Sequence, residues 1–146
     1  MTDSYSHLGV CVSDLDRSLR FYTEGLGFEE AESWAVGPEF GTLMEVEGVA
    51  LQSRFLRREG CTIELLFYDN PGVQGPAERR PMNQLGLTHL CFKVDDVDAT
   101  VARVVAAGGT VHPHTRTTFP AGEDSMDFVY CTDPDGTRIE LMHTPG

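Results

Sequence analysis

His89-Leu90-Cys91-Phe92-Lys93-Val94-Asp95-Asp96-Val97-Asp98 decides the fold, because the chain has already used this stretch once. His7-Leu8-Gly9-Val10-Cys11-Val12-Ser13-Asp14-Leu15-Asp16 matches it at five of ten positions: His, Leu, Val, Asp and Asp. Each copy reads as a short strand, an Asp-rich helix start and a helix with apolar periodicity. A second echo closes each unit, Thr62-Ile63-Glu64-Leu65-Leu66 in the first and Arg138-Ile139-Glu140-Leu141-Met142 in the second. A pattern repeated at this distance is one supersecondary unit used twice. Two His and two Glu at equivalent places make His7, Glu64, His89 and Glu140 the candidate metal ligands.

The intervening chain fills in both units. In the first, a strand over Tyr5–Val12 leads into a helix capped by Ser13 or Asp14, with Leu15, Leu19 and Tyr22 on one face. Gly25 and Gly27 stop it. Strands are expected at Phe28–Val36, Thr42–Val46, Ala50–Leu56 and Thr62–Tyr68, punctuated by Gly37-Pro38, Glu47-Gly48 and Glu59-Gly60. Residues 69–85 hold three prolines, two glycines and no period, so they read as a linker between module 1–68 and module 86–146. In the second module Gly86–Val94 is a strand, and Asp96 caps a helix bearing Val97, Val101 and Val104. Strands follow at Thr110–Thr115, Asp127–Cys131 and Thr137–His143, the last two joined by the Asp133-Pro134-Asp135-Gly136 turn. The polar, breaker-rich stretch Thr117–Ser125 is expected to be a loop and is a candidate lid.

At 146 residues the chain has the length of one ordinary domain, with 40% hydrophobic and 23% charged residues. A net charge of -12 argues against a nucleic-acid or acidic-membrane partner, which would call for clustered Lys and Arg. No apolar run approaches membrane-spanning length and no secretory leader is evident, so a soluble, cytoplasmic protein is expected. Cys11, Cys61, Cys91 and Cys131 lack C-x-x-C spacing and are expected to be reduced thiols packed as small hydrophobes. Cys11 and Cys91 are the candidates for a reactive thiol.

Strand parity tests the ligand set, because alternate side chains face opposite ways. Leu8, Val10 and Val12 oppose His7, Gly9 and Cys11. Ile63, Leu65 and Phe67 oppose Glu64. Leu90, Phe92 and Val94 oppose His89, and Ile139 and Leu141 oppose Glu140. All four candidates therefore lie opposite an apolar stripe that would bury against a helix. His112, His114 and His143 have no repeat counterpart and stay outside the set.

On these residues the chain resembles the vicinal oxygen chelate superfamily, which includes glyoxalase I, methylmalonyl-CoA epimerase, extradiol dioxygenases and fosfomycin- and bleomycin-resistance proteins. The marks are His7-Leu8-Gly9-Val10 with Ser18-Leu19-Arg20-Phe21-Tyr22 and Leu26-Gly27-Phe28, then His89 with Val94-Asp95-Asp96-Val97, then Asp133-Pro134-Asp135-Gly136 with Ile139-Glu140-Leu141. The resemblance implies an α+β fold of two βαβββ modules curled into a U-shaped, open half-barrel around one divalent metal ion. It implies His7, Glu64, His89 and Glu140 as ligands, and a homodimer.

Two imidazoles and two carboxylates suit Zn, Ni or Co, with Mn or Fe also compatible. Such an ion stabilises charge developing on oxygen, as in an enediolate, while a nearby carboxylate moves a proton on and off carbon. By resemblance Glu140 is the first candidate base and Glu64 the second. The implied activity is a glyoxalase I-type lyase or isomerase acting on a small 2-oxoaldehyde–thiol adduct, with a carbonyl or thioester substrate more broadly. One departure bears on the thiol: glutathione-using relatives carry an Arg four residues after the first ligand, and here Cys11 stands there. Arg54, Arg79, Arg80 and Arg116 are the candidates for holding an anionic substrate. The alternatives are an acyl-CoA epimerase, with Glu45 or Glu47 as a second base, an extradiol-type dioxygenase, and a non-enzymatic drug- or metabolite-binding protein.

Overall fold

The computed structural model describes residues 3–146. They form two compact units, residues 3–23 with 27–76, and residues 24–26 with 77–146. Each unit is built on a four-stranded mixed sheet, and the two sheets share one topology.

In the first unit β1 (Leu8–Cys11) leads into α1 (Leu15–Arg20). Asp14 caps α1, its carboxylate accepting from the Arg17 amide at 2.9 Å. The helix then widens into a π turn over Phe21–Gly25, which buries both Phe21 and Tyr22. β2 (Glu29–Val36), β3 (Ala50–Arg58) and β4 (Cys61–Asn70) complete the sheet in the order β1-β4-β3-β2, with β1 parallel to β4 and the rest antiparallel. Glu59 and Gly60, both at positive φ, turn the β3–β4 hairpin. β2 is one of the two edge strands of this sheet and carries Trp34, 57% exposed.

The expected strand at Thr42–Val46 is not there. Pro38–Phe40 is a 3-10 turn that continues into α2 (Gly41–Met44). Pro38 occupies the first turn, where its missing N–H costs nothing. Glu45 closes α2 in the left-handed region, and the Val46 amide donates back to the Gly41 carbonyl at 3.0 Å. A side chain at Gly41 would meet the backbone carbonyl oxygen of Val46 at 3.0 Å. Thr42 to Val46 has the residue types of a strand, but the proline and glycine around it fix a helical turn.

In the second unit β5 (Leu90–Lys93) precedes α3 (Val97–Ala106), capped by Asp96 onto the Ala99 amide at 2.9 Å. β6 (Thr110–Phe119), β7 (Met126–Thr132) and β8 (Arg138–His143) follow, in sheet order β5-β8-β7-β6. β6 runs on through Phe119, so the loop expected at Thr117–Ser125 is only 120–125. Asp133 organises the β7–β8 turn, one carboxylate oxygen accepting from the amides of Asp135 and Thr137.

The apolar stripes bury as the alternation requires. Ile63 and Leu65 in the first unit and Ile139 and Leu141 in the second are fully buried, while Glu64 and Glu140 on the opposite parity are not. Cys131 is buried and Cys61 half-buried, but Cys11 and Cys91 are exposed, which corrects the expectation that all four thiols pack as hydrophobes. Both lie on the same strand face as the His of their unit, away from the core. Among the described residues no helix is long and apolar enough to cross a membrane.

Candidate functional site

The register assembles the same constellation twice. Gly9 pairs with Glu64 across β1 and β4, and Cys91 pairs with Glu140 across β5 and β8. His7 and His89, two residues upstream, thus reach the carboxylates from the same face. His7 Nε2 stands 3.1 Å from Glu64 Oε2, and His89 Nε2 stands 2.8 Å from Glu140 Oε2. The other ring nitrogen is engaged by the preceding residue in both copies: Ser6 Oγ lies 2.8 Å from His7 Nδ1, and Thr88 Oγ1 lies 2.9 Å from His89 Nδ1. Each imidazole is also braced edge-on by the aromatic paired with its Glu. Phe55 sits 5.1 Å from His7, and Tyr130 sits 5.5 Å from His89.

The two carboxylates are held differently. Glu64 uses both oxygens, Oε1 accepting from Ser53 Oγ at 2.5 Å and Oε2 facing His7. Glu140 makes both of its contacts through Oε2, to His89 and to the Tyr130 hydroxyl at 3.3 Å. Burial first, then the Glu140 charge, push the Tyr130 phenol above its ordinary value, so it stays protonated and donates. Tyr68 is raised likewise by burial, then by Cys11 and Glu64. The Cys91 thiol is raised by burial and then by Glu140, which keeps it a weak nucleophile.

Each His–Glu pair fits a divalent ion in donor type and spacing. Two ligands side by side on one ion, with bonds of about 2.1 Å, stand about 3 Å apart. A hydroxyl on the distal ring nitrogen is the kind of outer partner that fixes a ligating imidazole. The same spacing is that of a His–carboxylate hydrogen bond. Among the described residues no three His, Cys, Asp or Glu side chains gather into a metal cluster.

The other candidates separate. Arg116 is taken up by Asp98 and by both oxygens of Asp127, a clamp joining α3, β6 and β7. Arg54 folds back on Ser53 and Gln52 of its own strand, and Arg80 donates to the carbonyls of Leu85 and Leu87. Glu45 and Glu47 lie in the turn between α2 and β3, and neither makes a contact with His7 or Glu64. His143 turns to the Val94 carbonyl at 3.1 Å. Sequence reasoning missed Ser53, Phe55 and Tyr130. Only the pairing of β3 with β4 and of β7 with β8 shows that they stand beside the two glutamates.

The family model described as "Glyoxalase/Bleomycin resistance protein/Dioxygenase superfamily" matches residues 4–141. The chain is 32% identical over 136 residues to a probable lactoylglutathione lyase of Vibrio cholerae, covering 93% of this chain and 87% of that protein. It is 29% identical over 148 residues to a 2-epi-5-epi-valiolone epimerase of Actinomyces, covering 95% and 78%. In fold it is similar to a glyoxalase family protein of Bacillus cereus, with a TM-score of 0.82, 21% identity and coverage of 100% and 99%. A duplicated strand–helix–three-strand unit, a His–Glu pair at the same register in each copy and a family match over nearly the whole length lead to one conclusion: the chain belongs to the glyoxalase/bleomycin resistance protein/dioxygenase superfamily.

Proposed function

We propose that this protein is a divalent-metal-dependent lyase or isomerase of glyoxalase I type, acting on a small 2-oxoaldehyde–thiol adduct or related carbonyl compound. The observation that carries the reading is the matched His–Glu pair in each unit, each with a hydroxyl on its distal ring nitrogen. The probable lactoylglutathione lyase among the relatives supports it. His7, Glu64, His89 and Glu140 are the ligands proposed for the ion. When bound, a divalent ion supplies Lewis-acid polarisation of the substrate's oxygens.

Proton movement then falls to the carboxylates. Glu140 is the base, because its Oε1 accepts no hydrogen bond from the described residues while Tyr130 and His89 steady Oε2. It takes the proton from one carbon and returns it to the neighbouring one. Glu64, fixed through both oxygens, serves as a positional ligand. Cys11 stands where glutathione-using relatives place an Arg, so a thiol other than glutathione is the expected co-substrate.

The test couples metal analysis to turnover. Wild-type protein is expected to take up about one equivalent of Zn, Ni or Co per chain, and to isomerise hemithioacetals drawn from a panel of thiols. His7→Ala, Glu64→Ala and His89→Ala should each lower metal content. Metal content unchanged in all three would sink the ligand set. A second reading, proton transfer in an epimerase, is favoured by the epimerase relative and uses the same Glu140; epimerisation without hemithioacetal turnover would select it.

A further inference from the structure

Arg79, Arg138, His112 and His114 crowd one region of the second unit, and among the described residues none of them is in an ion pair. Arg138 is 9% exposed; it donates to the Arg80 carbonyl at 2.7 Å and lies over the Tyr130 ring, 4.9 Å from its centre. Arg79 Nη1 is buried with no hydrogen-bond partner. Among the described residues neither guanidinium has a carboxylate within ion-pair distance, in a chain with 23 acidic and 11 basic residues. Elsewhere the chain does pair its arginines, Arg57 with Glu32 and Arg116 with Asp98 and Asp127. His112 titrates below its ordinary value through burial, then through Arg79, His114 and Arg138, which marks the local excess of positive charge. Buried charge without a counter-ion is unfavourable unless something supplies one.

The position of this cluster is built into the fold. His112 pairs with Tyr130 and Tyr130 with Glu140, while Thr132 pairs with Arg138 in the adjacent row. Arg138 therefore shares a face with Glu140, one side-chain repeat or about 7 Å along β8. Arg79 arrives from the connecting segment, which is pinned against the β7–β8 turn. A Cβ on Gly136 would fall 2.5 Å from the Glu78 backbone carbonyl carbon. Arg80 closes the segment on itself through Leu85 and Leu87.

We propose that Arg79 and Arg138, flanked by His112, form a subsite for the anionic group of the substrate, a carboxylate or a phosphate. Guanidinium forks match the oxygens of either group. The subsite would set that anion at a fixed reach from Glu140 and orient the reacting carbons toward it. Its place in a reaction rests on the function proposed above; anion binding itself does not.

The test follows the His112 ring by NMR in the purified full-length protein while inorganic phosphate or malonate is added. A saturable shift is expected, with the His112 pKa rising as the anion cancels the neighbouring positive charge. Arg79→Gln should weaken binding by about tenfold or more, with thermal stability unchanged or higher, since Arg79 has no hydrogen bond to lose. Arg138→Gln should weaken it likewise. Tighter binding of phosphate points to a phosphoester substrate, and of malonate to a carboxylate. No saturable response to either anion, or one that Arg79→Gln leaves unaltered, overturns the subsite. Metal uptake by the same samples separates the two ideas: anion binding without metal uptake removes the metal-dependent reading and leaves the subsite, and metal uptake without anion binding does the reverse.

Discussion

Glu64 and Glu140 occupy equivalent positions but differ in what holds them, and under the proposed function that difference divides their roles. Glu140→Gln is expected to lower kcat by about 10²–10⁴-fold, the share of a general base, with a smaller change in KM; steady-state kinetics on metal-loaded protein measures it. Glu64→Gln should instead act mainly through metal content. Cys131 carries a separate prediction. Burial, then Asp133, push its thiol up to about 12 from 9.0, so the folded state keeps its proton where the unfolded chain has lost it. Stability is therefore fully present below pH 9 and is lost as pH rises toward 12, with a limiting slope of about 1.4 kcal/mol per pH unit. Urea unfolding at pH 8, 9, 10 and 11 should show this fall, and Cys131→Ala should flatten it. At this scale repetition and parity singled out His7, Glu64, His89 and Glu140, and the structure brings His7 to Glu64 and His89 to Glu140. Sequence reasoning named Arg79 as one of four candidate anion binders without setting it apart, and it passed over Arg138, because an unanswered charge is a property of missing neighbours, and neighbours come from pairing between strands far apart in the chain.

Elements were legible where a local rule decided them alone. Asp14 and Asp96 precede apolar-periodic runs, and each caps its helix as that pattern requires. Replacing either by Ala should cost about 0.5–2 kcal/mol, read from urea midpoints. Elements were misread where short segments carried mixed signals. Thr42 to Val46 has β-forming residues at its ends, but Pro38 and Gly41 hold the chain in helical turns. β6 outruns its apparent breakers because Thr117, Thr118 and Phe119 pair with Phe128, Asp127 and Met126 on β7, a tertiary gain no local pattern displays. The β7–β8 turn gives the sharpest test at this level. Gly136 has φ +89 and faces the Glu78 backbone at 2.5 Å, so Gly136→Ala combines backbone strain with a clash. The expected loss exceeds the ~1–3 kcal/mol of strain alone, and displacement of Glu78 should carry Arg79 away and weaken anion binding in parallel.

For the whole molecule, the duplication was the most legible feature, since two copies of one pattern specify two sheets of one topology. The resemblance implies a homodimer, so size-exclusion with light scattering should report roughly twice the 16.1 kDa chain mass. A net charge of -12 adds self-repulsion to the compact state. Raising salt from about 0.01 M to 0.15 M shortens the screening length from roughly 30 Å to 8 Å, and the melting temperature followed by circular dichroism should rise with it. Fluorescence would be a poor choice for that experiment. Trp34, the single tryptophan, already stands in water on the edge strand β2. Its emission in the native protein should resemble that of the unfolded chain, and melting should barely change its colour. The indole becomes informative only when something covers the edge, which makes it an optical reporter of association at that strand, already present in the wild-type protein.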